Sequence, residues 1–270
     1  MTPLEHIRAH CKALALPTAA QVFAELAATA TRENWSVERF TAEWLGHELE
    51  GRRQHRVMRL RQDAHLPSGK TLATLDQRRL PLRMRRVLPD LCQGDFLDRA
   101  DNVLLFGLPG RGKTHVAAAI GDELVHHGRT VLFTPTFALL GRLLRAKRDL
   151  ALERELRRLD RFAAVILDDI GYVQQSREEM EVLFTFLAER YERRSVIITS
   201  NLVFSDWNRI FQDPLTTAAA IDRVVHHSII LEFGADVPSV RAEAAAKRQQ
   251  AARAAAVAES GLAVPAASAS

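Results

Sequence analysis

The sequence predicts an α/β domain built on a parallel sheet and preceded by a small all-helical domain. Up to about Leu97, apolar residues recur at helical spacing without strand-like alternation. After Asp101, short apolar runs alternate with helical stretches, which is typical of parallel strands covered on both faces. We therefore expect a helical domain, an α/β domain and an alanine-rich, partly disordered tail, over residues 1–96, 97–241 and 242–270 respectively.

The helical domain consists of amphipathic segments. In LPTAAQVFAELAATA, the residues Val22, Leu26 and Ala30 fall on one face of a helix. Ser36 is placed to cap the next helix, and Glu38 supplies an acidic residue in its first turn.

A strongly basic stretch extends from Arg52 to Arg86. Its eleven arginines and lysines are opposed by Asp63 and Asp76, so the local charge is 11 − 2, or about +9. Such a stretch can be a solvated helix face, but its one-sided charge and its preference for arginine favour contact with the phosphates of nucleic acid. By their spacing, the candidate phosphate contacts are Arg56, Arg59, Arg83 and Arg86.

A phosphate-binding loop follows the first of five candidate strands, NVLLFG, TVLFTP, AAVILDD, SVIITSN and SIILEF. The loop matches the pattern G-x-x-x-x-G-K-[ST], and a helical stretch, THVAAAIGDELVHHG, comes after it. Backbone amides would contact the phosphates, Lys113 the β and γ oxygens, and the Thr114 hydroxyl a Mg²⁺ ion. The residues expected to bind nucleotide here are Gly107, Leu108, Pro109, Gly110, Arg111, Gly112, Lys113, Thr114 and His115.

Polar residues end two further candidate strands. Asp168 and Asp169 close AAVILDD beside the phosphate loop, so we expect Asp168 to bind Mg²⁺ through water and Asp169 to orient the attacking water. The alternative is that these acids cap the next turn. The run SVIITSN ends in the polar residues Thr199, Ser200 and Asn201. Of these, Asn201 is the candidate for a hydrogen bond to the γ-phosphate or the attacking water, although such residues also begin turns.

The order of these motifs resembles the AAA+ subgroup of DnaA, DnaC and the IstB-like ATP-binding proteins. The strings GKTH, ILDDIG, RYERRSVIITSNLVFSDW, DPLTTAAAIDRVVHH and EFGADVPSVR look most like the IstB-like transposase helpers of insertion sequences, and the resemblance runs from about Leu4 to Arg241. It implies an AAA+ sheet in the order 5-1-4-3-2, an ATPase that uses ATP and Mg²⁺, and binding of double-stranded DNA without strong sequence preference. It also implies a homo-oligomer formed through the ATPase interface and a partnership with the transposase of the same element.

The resemblance implies roles for two arginines, and the sequence differs from the family at one position of the phosphate loop. Arg223 corresponds to an arginine finger and Arg241 to a second sensor, although either could form a structural salt bridge. A cation there would stabilise the charge that develops on the γ-phosphate, and one supplied by a neighbouring subunit makes hydrolysis depend on assembly. Arg111 departs from the family, which usually has a small or hydroxyl residue at this position; its side chain either approaches the phosphates or turns to solvent.

Other features of the composition narrow the function. The charged N-terminal segment and the lack of a long apolar run predict a cytoplasmic protein with no membrane partner. Cys11 and Cys92 lie far apart and have no neighbouring ligand pattern, so we expect neither a disulfide nor a zinc site but ordinary thiols that are buried or half-buried. No N-K-x-D string occurs, which favours ATP over GTP. Two adjacent histidine pairs, at 126–127 and 226–227, would point to different faces of a helix, which argues against metal binding.

The function expected from these features is ATP-dependent assembly on DNA that assists a transposase in target selection. Three alternatives stay open. A DnaC-like replicative helicase loader shares the ATPase core, a P-loop kinase would phosphorylate a small molecule, and a DNA-binding scaffold would hold ATP without hydrolysing it.

Overall fold

The computed structural model describes residues 2–171, 176–202 and 224–234, and the chain divides into two compact units, Met1–Asp63 and Ala64–Ser270. The sequence placed this division after residue 96 instead. The segment that follows Ala64 belongs to the second unit because it packs there, with the Leu66 side chain beside Gly121. The predicted tail, 242–270, lies outside the described residues.

The first unit is helical, as predicted. It contains α1 (Pro3–Ala13), α2 (Pro17–Arg32) and α3 (Val37–Ala64). Ser36 caps α3, since its Oγ accepts a hydrogen bond of 3.2 Å from the Arg39 N–H.

A small aromatic and polar core joins α2 to α3. Phe23 packs edge-on against Phe40 and Trp44 at ring distances of 5.6 and 5.4 Å. The Trp44 indole N–H donates to the Ala19 carbonyl at 2.8 Å, and the buried Glu48 carboxylate accepts from the Ala19 N–H at 2.9 Å. Glu48 thereby satisfies a backbone donor in the first turn of α2, which that helix cannot satisfy by itself.

The second unit contains a five-stranded sheet in the order β2-β3-β4-β1-β5 in which every neighbouring pair is parallel. Read from the other edge, this is the predicted order 5-1-4-3-2. The strands are β1 (Asn102–Gly107), β2 (Val131–Pro135), β3 (Ala164–Ile170), β4 (Ser195–Ser200) and β5 (Ser228–Phe233). The five apolar runs in the sequence are therefore the five strands.

Helices precede the sheet and connect its strands. They are α4 (Leu82–Gln93), α5 (Asp95–Asp98), α6 (Lys113–His126), α7 (Thr136–Arg148), α8 (Leu152–Leu159) and α9 (Arg177–Arg190), and a 3₁₀ turn spans Gln77–Arg79. Helix α6 lies close to the sheet at Gly121, where an added Cβ would stand 2.7 Å from Ile166 Cδ1. Because the strands are parallel, the carboxyl ends of β1, β3 and β4 meet at one edge of the sheet, where the phosphate loop begins.

Arg190, the last residue of α9, is buried in this unit with 3% of its surface exposed. Its guanidinium donates to the carbonyls of Leu159, Phe162 and Ser195 at 2.9 to 3.0 Å, and it lies 5.7 Å from the Phe186 ring centre. It therefore joins the end of α8 and the loop before β3 to the start of β4.

The burial of Arg190 carries an electrostatic cost. Removal from water lowers the pKa of its guanidinium to about 9, although the charge of Asp160 opposes this shift. The group is still protonated at neutral pH because 7 lies below that pKa. Hydrogen bonds to the carbonyls thus have to offset the loss of hydration.

We expect Arg190→Met to lower the free energy of unfolding by about 3 kcal/mol, because several buried carbonyls lose a charged donor. The measurement is urea denaturation followed by circular dichroism. Arg193→Met is the matched control: Arg193 is 59% exposed and pairs with Asp160 and Glu189, so its loss should cost less than about 1 kcal/mol. Equal effects of the two substitutions would contradict a structural role for Arg190.

Two further predictions concern the thiols and the membrane. Both cysteines are buried and unbridged, as predicted, and burial raises the pKa of the Cys92 thiol to about 11, which keeps it unreactive at neutral pH. Among the described helices, none combines the length and the apolar character needed to cross a membrane.

Candidate functional site

The phosphate loop connects β1 to α6 and depends on glycine backbone conformations. Gly107, Gly110 and Gly112 have φ values of 148°, 80° and 99°, in the region that disfavours side chains. A Cβ on Gly107 would also stand 2.7 Å from the Cβ of Phe233, at the end of β5. Both the path of the loop and its approach to β5 therefore require glycine at this position.

The start of α6 is suited to bind an anion. Gly112 is the N-cap residue and has no side chain to accept hydrogen bonds from the first N–H groups of the helix. These groups, together with the positive end of the helix dipole, form the usual binding site for a phosphate. Thr114 lies in this first turn and is half-buried.

Lys113 links the loop to the end of β4. Its side chain is 4% exposed, and its ammonium donates to the carbonyls of Gly107 and Leu108 at 2.7 and 3.0 Å. It also donates to the Asn201 Oδ1 at 2.6 Å. The structure therefore brings together two candidate residues that are 88 positions apart in the sequence.

The two aspartates lie in an irregularity of the sheet. The pairing of β3 with β4 shifts register between Leu167 and Ile170, and Asp169 has a φ of 58°. Thr199 fills this bulge: its hydroxyl donates to Asp168 Oδ1 at 2.7 Å and accepts from the Asp169 N–H at 2.8 Å. A bulge held in this way re-aims side chains, and strained backbone at such places is often functional.

Thr199 is a positioning residue whose importance the sequence did not reveal. The sequence placed it in the polar string Thr199, Ser200 and Asn201 and favoured Asn201 alone. The feature that could have indicated Thr199 is its position at the end of a strand that pairs with the strand of Asp168 and Asp169. Only the strand order shows that its hydroxyl can reach both of them.

The residues present at this edge of the sheet are suited to bind a Mg²⁺ ion and a nucleoside triphosphate. Asp168 offers a carboxylate at the edge of the sheet and Thr114 a hydroxyl on α6, and oxygen donors of this kind suit a hard cation. Asp168 is further fixed by its backbone, since its carbonyl accepts from the Thr136 hydroxyl at 2.9 Å. Lys113 supplies the cationic donor expected beside the phosphates.

A second contact that the sequence did not predict holds His115. Its Nε2 lies 3.1 Å from both the Thr71 carbonyl and the Thr74 hydroxyl, and Thr74 in turn donates to the Gly69 carbonyl at 2.7 Å. Residues of the segment before α4 therefore contact the first turn of α6, which directly follows the phosphate loop.

Arg111 is half-buried within the loop. Its Nε is fully buried and has no hydrogen-bond partner among the described residues. The inner part of this side chain is thus turned into the protein rather than extended into solvent.

Other candidate residues are exposed or lie outside the described part. Arg56 and Arg59 are exposed one turn apart on α3, and Arg83 and Arg86 are exposed one turn apart on α4. Arg223 and Arg241 lie outside the described residues. Their expected roles at the phosphates stay predictions.

Comparison with known proteins identifies relatives along most of the chain. The family described as IstB-like ATP binding protein matches residues 9–248. An insertion sequence ATP-binding protein of Sinorhizobium fredii is 42% identical over 88% of this chain and 80% of its own length. A protein of Pseudomonas aeruginosa named as the ATP-binding protein of insertion sequence IS21 is 39% identical over 76% of this chain and 77% of its own length.

A structural comparison agrees with the fold. The chain is similar to AMPPCP-bound DnaA from Aquifex aeolicus, with a TM-score of 0.53 and 18% identity over 64% of this chain and 52% of that one. The chain thus spans about half the length of that protein. At this identity the likeness shows the shared AAA+ fold.

Proposed function

The chain belongs to the family of IstB-like ATP-binding proteins, and from this premise we propose that it is a Mg²⁺-dependent ATPase that assembles on DNA and assists a transposase. The observation that carries the proposal is the meeting of Lys113, Asn201 and the Thr199-anchored aspartates at the carboxyl edge of the sheet. This arrangement supports the proposal because phosphoryl transfer needs a phosphate cradle, a cation site and a group that orients water, and these residues would supply them.

In the proposed reaction, each group has a separate task. The loop amides and Lys113 would hold the β and γ phosphates of ATP, while Thr114 and, through water, Asp168 would hold Mg²⁺, which would neutralise phosphate charge. Asp169 accepts a proton from the attacking water and orients it. Asn201 accepts a hydrogen bond from Lys113, and we propose that it senses the γ-phosphate.

Two arginines would couple ATP hydrolysis to the formation of a homo-oligomer. We assign Arg223 to the γ-phosphate of a neighbouring subunit and Arg241 to the nucleotide of its own subunit. A finger supplied by a neighbour would make hydrolysis depend on formation of a homo-oligomer. The nucleotide would then control assembly, and hydrolysis would time the release of partners.

We propose that exposed arginines of this protein bind double-stranded DNA. The exposed pairs Arg56–Arg59 and Arg83–Arg86 offer charge at one-turn spacing, which suits contact with successive phosphates. Phosphate contacts of this kind position a protein without reading bases, so the binding is not sequence-specific. The insertion-sequence names of the relatives support a transposase as the protein partner.

Removal of Arg83 and Arg86 tests the DNA surface. We expect the double variant Arg83→Ala/Arg86→Ala to weaken binding of duplex DNA about tenfold at 0.1 M salt and to reduce the slope of log K against log salt by about 2, because two phosphate contacts are lost. The measurement is a salt titration by fluorescence anisotropy with ATP present. DNA-stimulated ATP hydrolysis should fall in parallel.

The control removes equal charge elsewhere on the same unit. Arg157 and Arg193 already pair with Glu153 and with Asp160, so Arg157→Ala/Arg193→Ala should leave the salt slope nearly unchanged. If both double variants bind DNA alike, α4 is not the contact surface. If DNA has no effect on ATP turnover and a small-molecule acceptor does, the kinase alternative replaces the proposal.

A further inference from the structure

Three side chains with metal-binding atoms converge at the amino edge of the sheet. Glu192 lies in the turn between α9 and β4, and His226 and His227 lie in the turn before β5. One ligand atom of each lies within 4.8 Å of the other two, and His227 Nε2 is 3.7 Å from Glu192 Oε1. The Glu192 and His227 side chains are 59% and 43% exposed, so the cluster is open to solvent.

The adjacent histidines are not placed as the sequence predicted. Residues 226 and 227 occupy a turn rather than a helix, so they do not point to different faces, and their rings stand 4.3 Å apart, edge to face. In the other pair, His126 faces Asp122, and His127 contacts the Cys92 carbonyl at 3.0 Å. Helix geometry therefore gives no argument against metal binding by the pair at 226–227, while for the pair at 126–127 the expectation stays a prediction.

The backbone on both sides of the cluster is held in place. Asn102 is buried at the start of β1; its N–H donates to the His227 carbonyl at 2.7 Å, and its side chain joins Val224 to Val196. On the other side, Glu192 has a φ of 57°, a left-handed conformation in the turn that leads to β4. The strand starts thus fix where the side chains emerge.

From this geometry we propose that Glu192, His226 and His227 form a binding site for a divalent transition-metal ion, of which Zn²⁺ is the representative. Two imidazoles and one carboxylate are a ligand set that Zn²⁺ accepts, with the remaining position open to water or another group. Tetrahedral bonds of about 2.0 to 2.1 Å place ligand atoms about 3.3 Å apart. The ligand atoms now lie up to 4.8 Å apart, so rotation of these exposed side chains has to shorten the separations by at most about 1.5 Å.

The second layer of contacts supports the same ligand set. The Tyr191 hydroxyl lies 3.4 Å from His226 Nδ1, so it can orient that ring while Nε2 binds the ion. Of the two arginines that follow Glu192, Arg193 pairs with Asp160 and Glu189, and Arg194 donates to the Asp160 carbonyl at 3.2 Å.

The site is separate from the nucleotide. Strand β1 begins beside the cluster and ends at the phosphate loop, and its six residues span about 20 Å. A bound ion would join the turn after α9 to the chain that enters β5, a few residues after Arg223. The ion would therefore fix the end of the segment that carries this arginine without contacting ATP.

Zn²⁺ titration of the full chain tests the site. The protein is prepared without a polyhistidine tag and carries His6→Ala/His10→Ala, because these exposed histidines one turn apart on α1 are a second place where Zn²⁺ could bind. We expect one equivalent of Zn²⁺ to bind by calorimetry, and His227→Ala or His226→Ala in this background to weaken its affinity by at least about tenfold. Bound Co²⁺ should give the visible absorption of a four-coordinate site that the variants lose.

Matched variants decide the result. His126→Ala/His127→Ala removes another adjacent histidine pair and should leave the affinity for Zn²⁺ unchanged. Glu192→Gln should weaken it while preserving ATP affinity, which shows that the variant is folded. Zn²⁺ affinity that is unaffected by His227→Ala and Glu192→Gln, or that falls equally with the 126–127 variant, overturns the proposal.

Discussion

Lys113→Ala is expected to lower steady-state ATP hydrolysis by about 10³-fold and to weaken ATP binding. The ammonium is nearly buried and is held by the carbonyls of Gly107 and Leu108 and by Asn201, so it is aimed where the phosphates would lie. Its removal deletes a charged donor to the transition state, and a single donor in such a site contributes about 10² to 10³ in rate. Loss of ground-state binding adds to this effect.

The measurement for Lys113→Ala combines a coupled ATPase assay with calorimetric titration of ATP. Lys147→Ala is the matched control, because Lys147 lies on α7 in the same unit and pairs with Glu181 at 2.7 Å. It should leave turnover within about twofold of the unmodified protein. Thermal unfolding checks that Lys113→Ala is folded. Turnover by a folded Lys113→Ala protein that approaches the control would show that hydrolysis does not occur at this loop.

Asp169→Asn is expected to lower ATP hydrolysis by about 10² to 10³-fold while ATP affinity changes little. Asparagine tolerates the left-handed backbone that Asp169 adopts, so the N–H that donates to Thr199 stays in place. What changes is the charge, and with it the ability to accept a proton from water, a contribution of about 10² to 10⁴. The substitution therefore separates binding from hydrolysis.

Single-turnover assays and ATP titration measure the two quantities for Asp169→Asn. Asp168→Asn is the companion variant: it should shift the concentration of Mg²⁺ needed for activity, which Asp169→Asn should not. If DNA binding and its ATP dependence survive in Asp169→Asn while hydrolysis is lost, the nucleotide acts by binding and hydrolysis acts later. Unchanged turnover in Asp169→Asn would remove Asp169 from the reaction.

The sequence predicted those parts of the protein whose chemistry is local. The phosphate loop could be predicted from the sequence because its glycines adopt backbone conformations that other residues avoid and its lysine follows them at a fixed spacing. The five strands are readable because a strand covered on both faces must be apolar throughout. Asp168, Asp169 and Asn201 could be placed near the loop since the ends of parallel strands share one edge.

Contacts between distant segments were decided by the tertiary structure. The periodicity of a helix shows which face is apolar but not which unit that face packs on. The boundary between the two units after Asp63 therefore could not be predicted from the sequence. Nothing in the local sequence distinguishes Arg190 from the arginines near it, yet packing places its guanidinium among the carbonyls of Leu159, Phe162 and Ser195. The hydroxyl of Thr199 reaches both aspartates only because β4 pairs with β3 through a shifted register.

The Glu192 cluster shows the physical reason most clearly. Neighbouring histidines diverge in a helix but can converge in a turn, and the turn before β5 exists because that strand must pair with β1. Glu192 comes from a different connection, 34 residues earlier than His226, and reaches it because the strands that follow both turns start at the same edge. Local sequence determines which conformations a segment can adopt, while long-range packing selects among them and brings their side chains together.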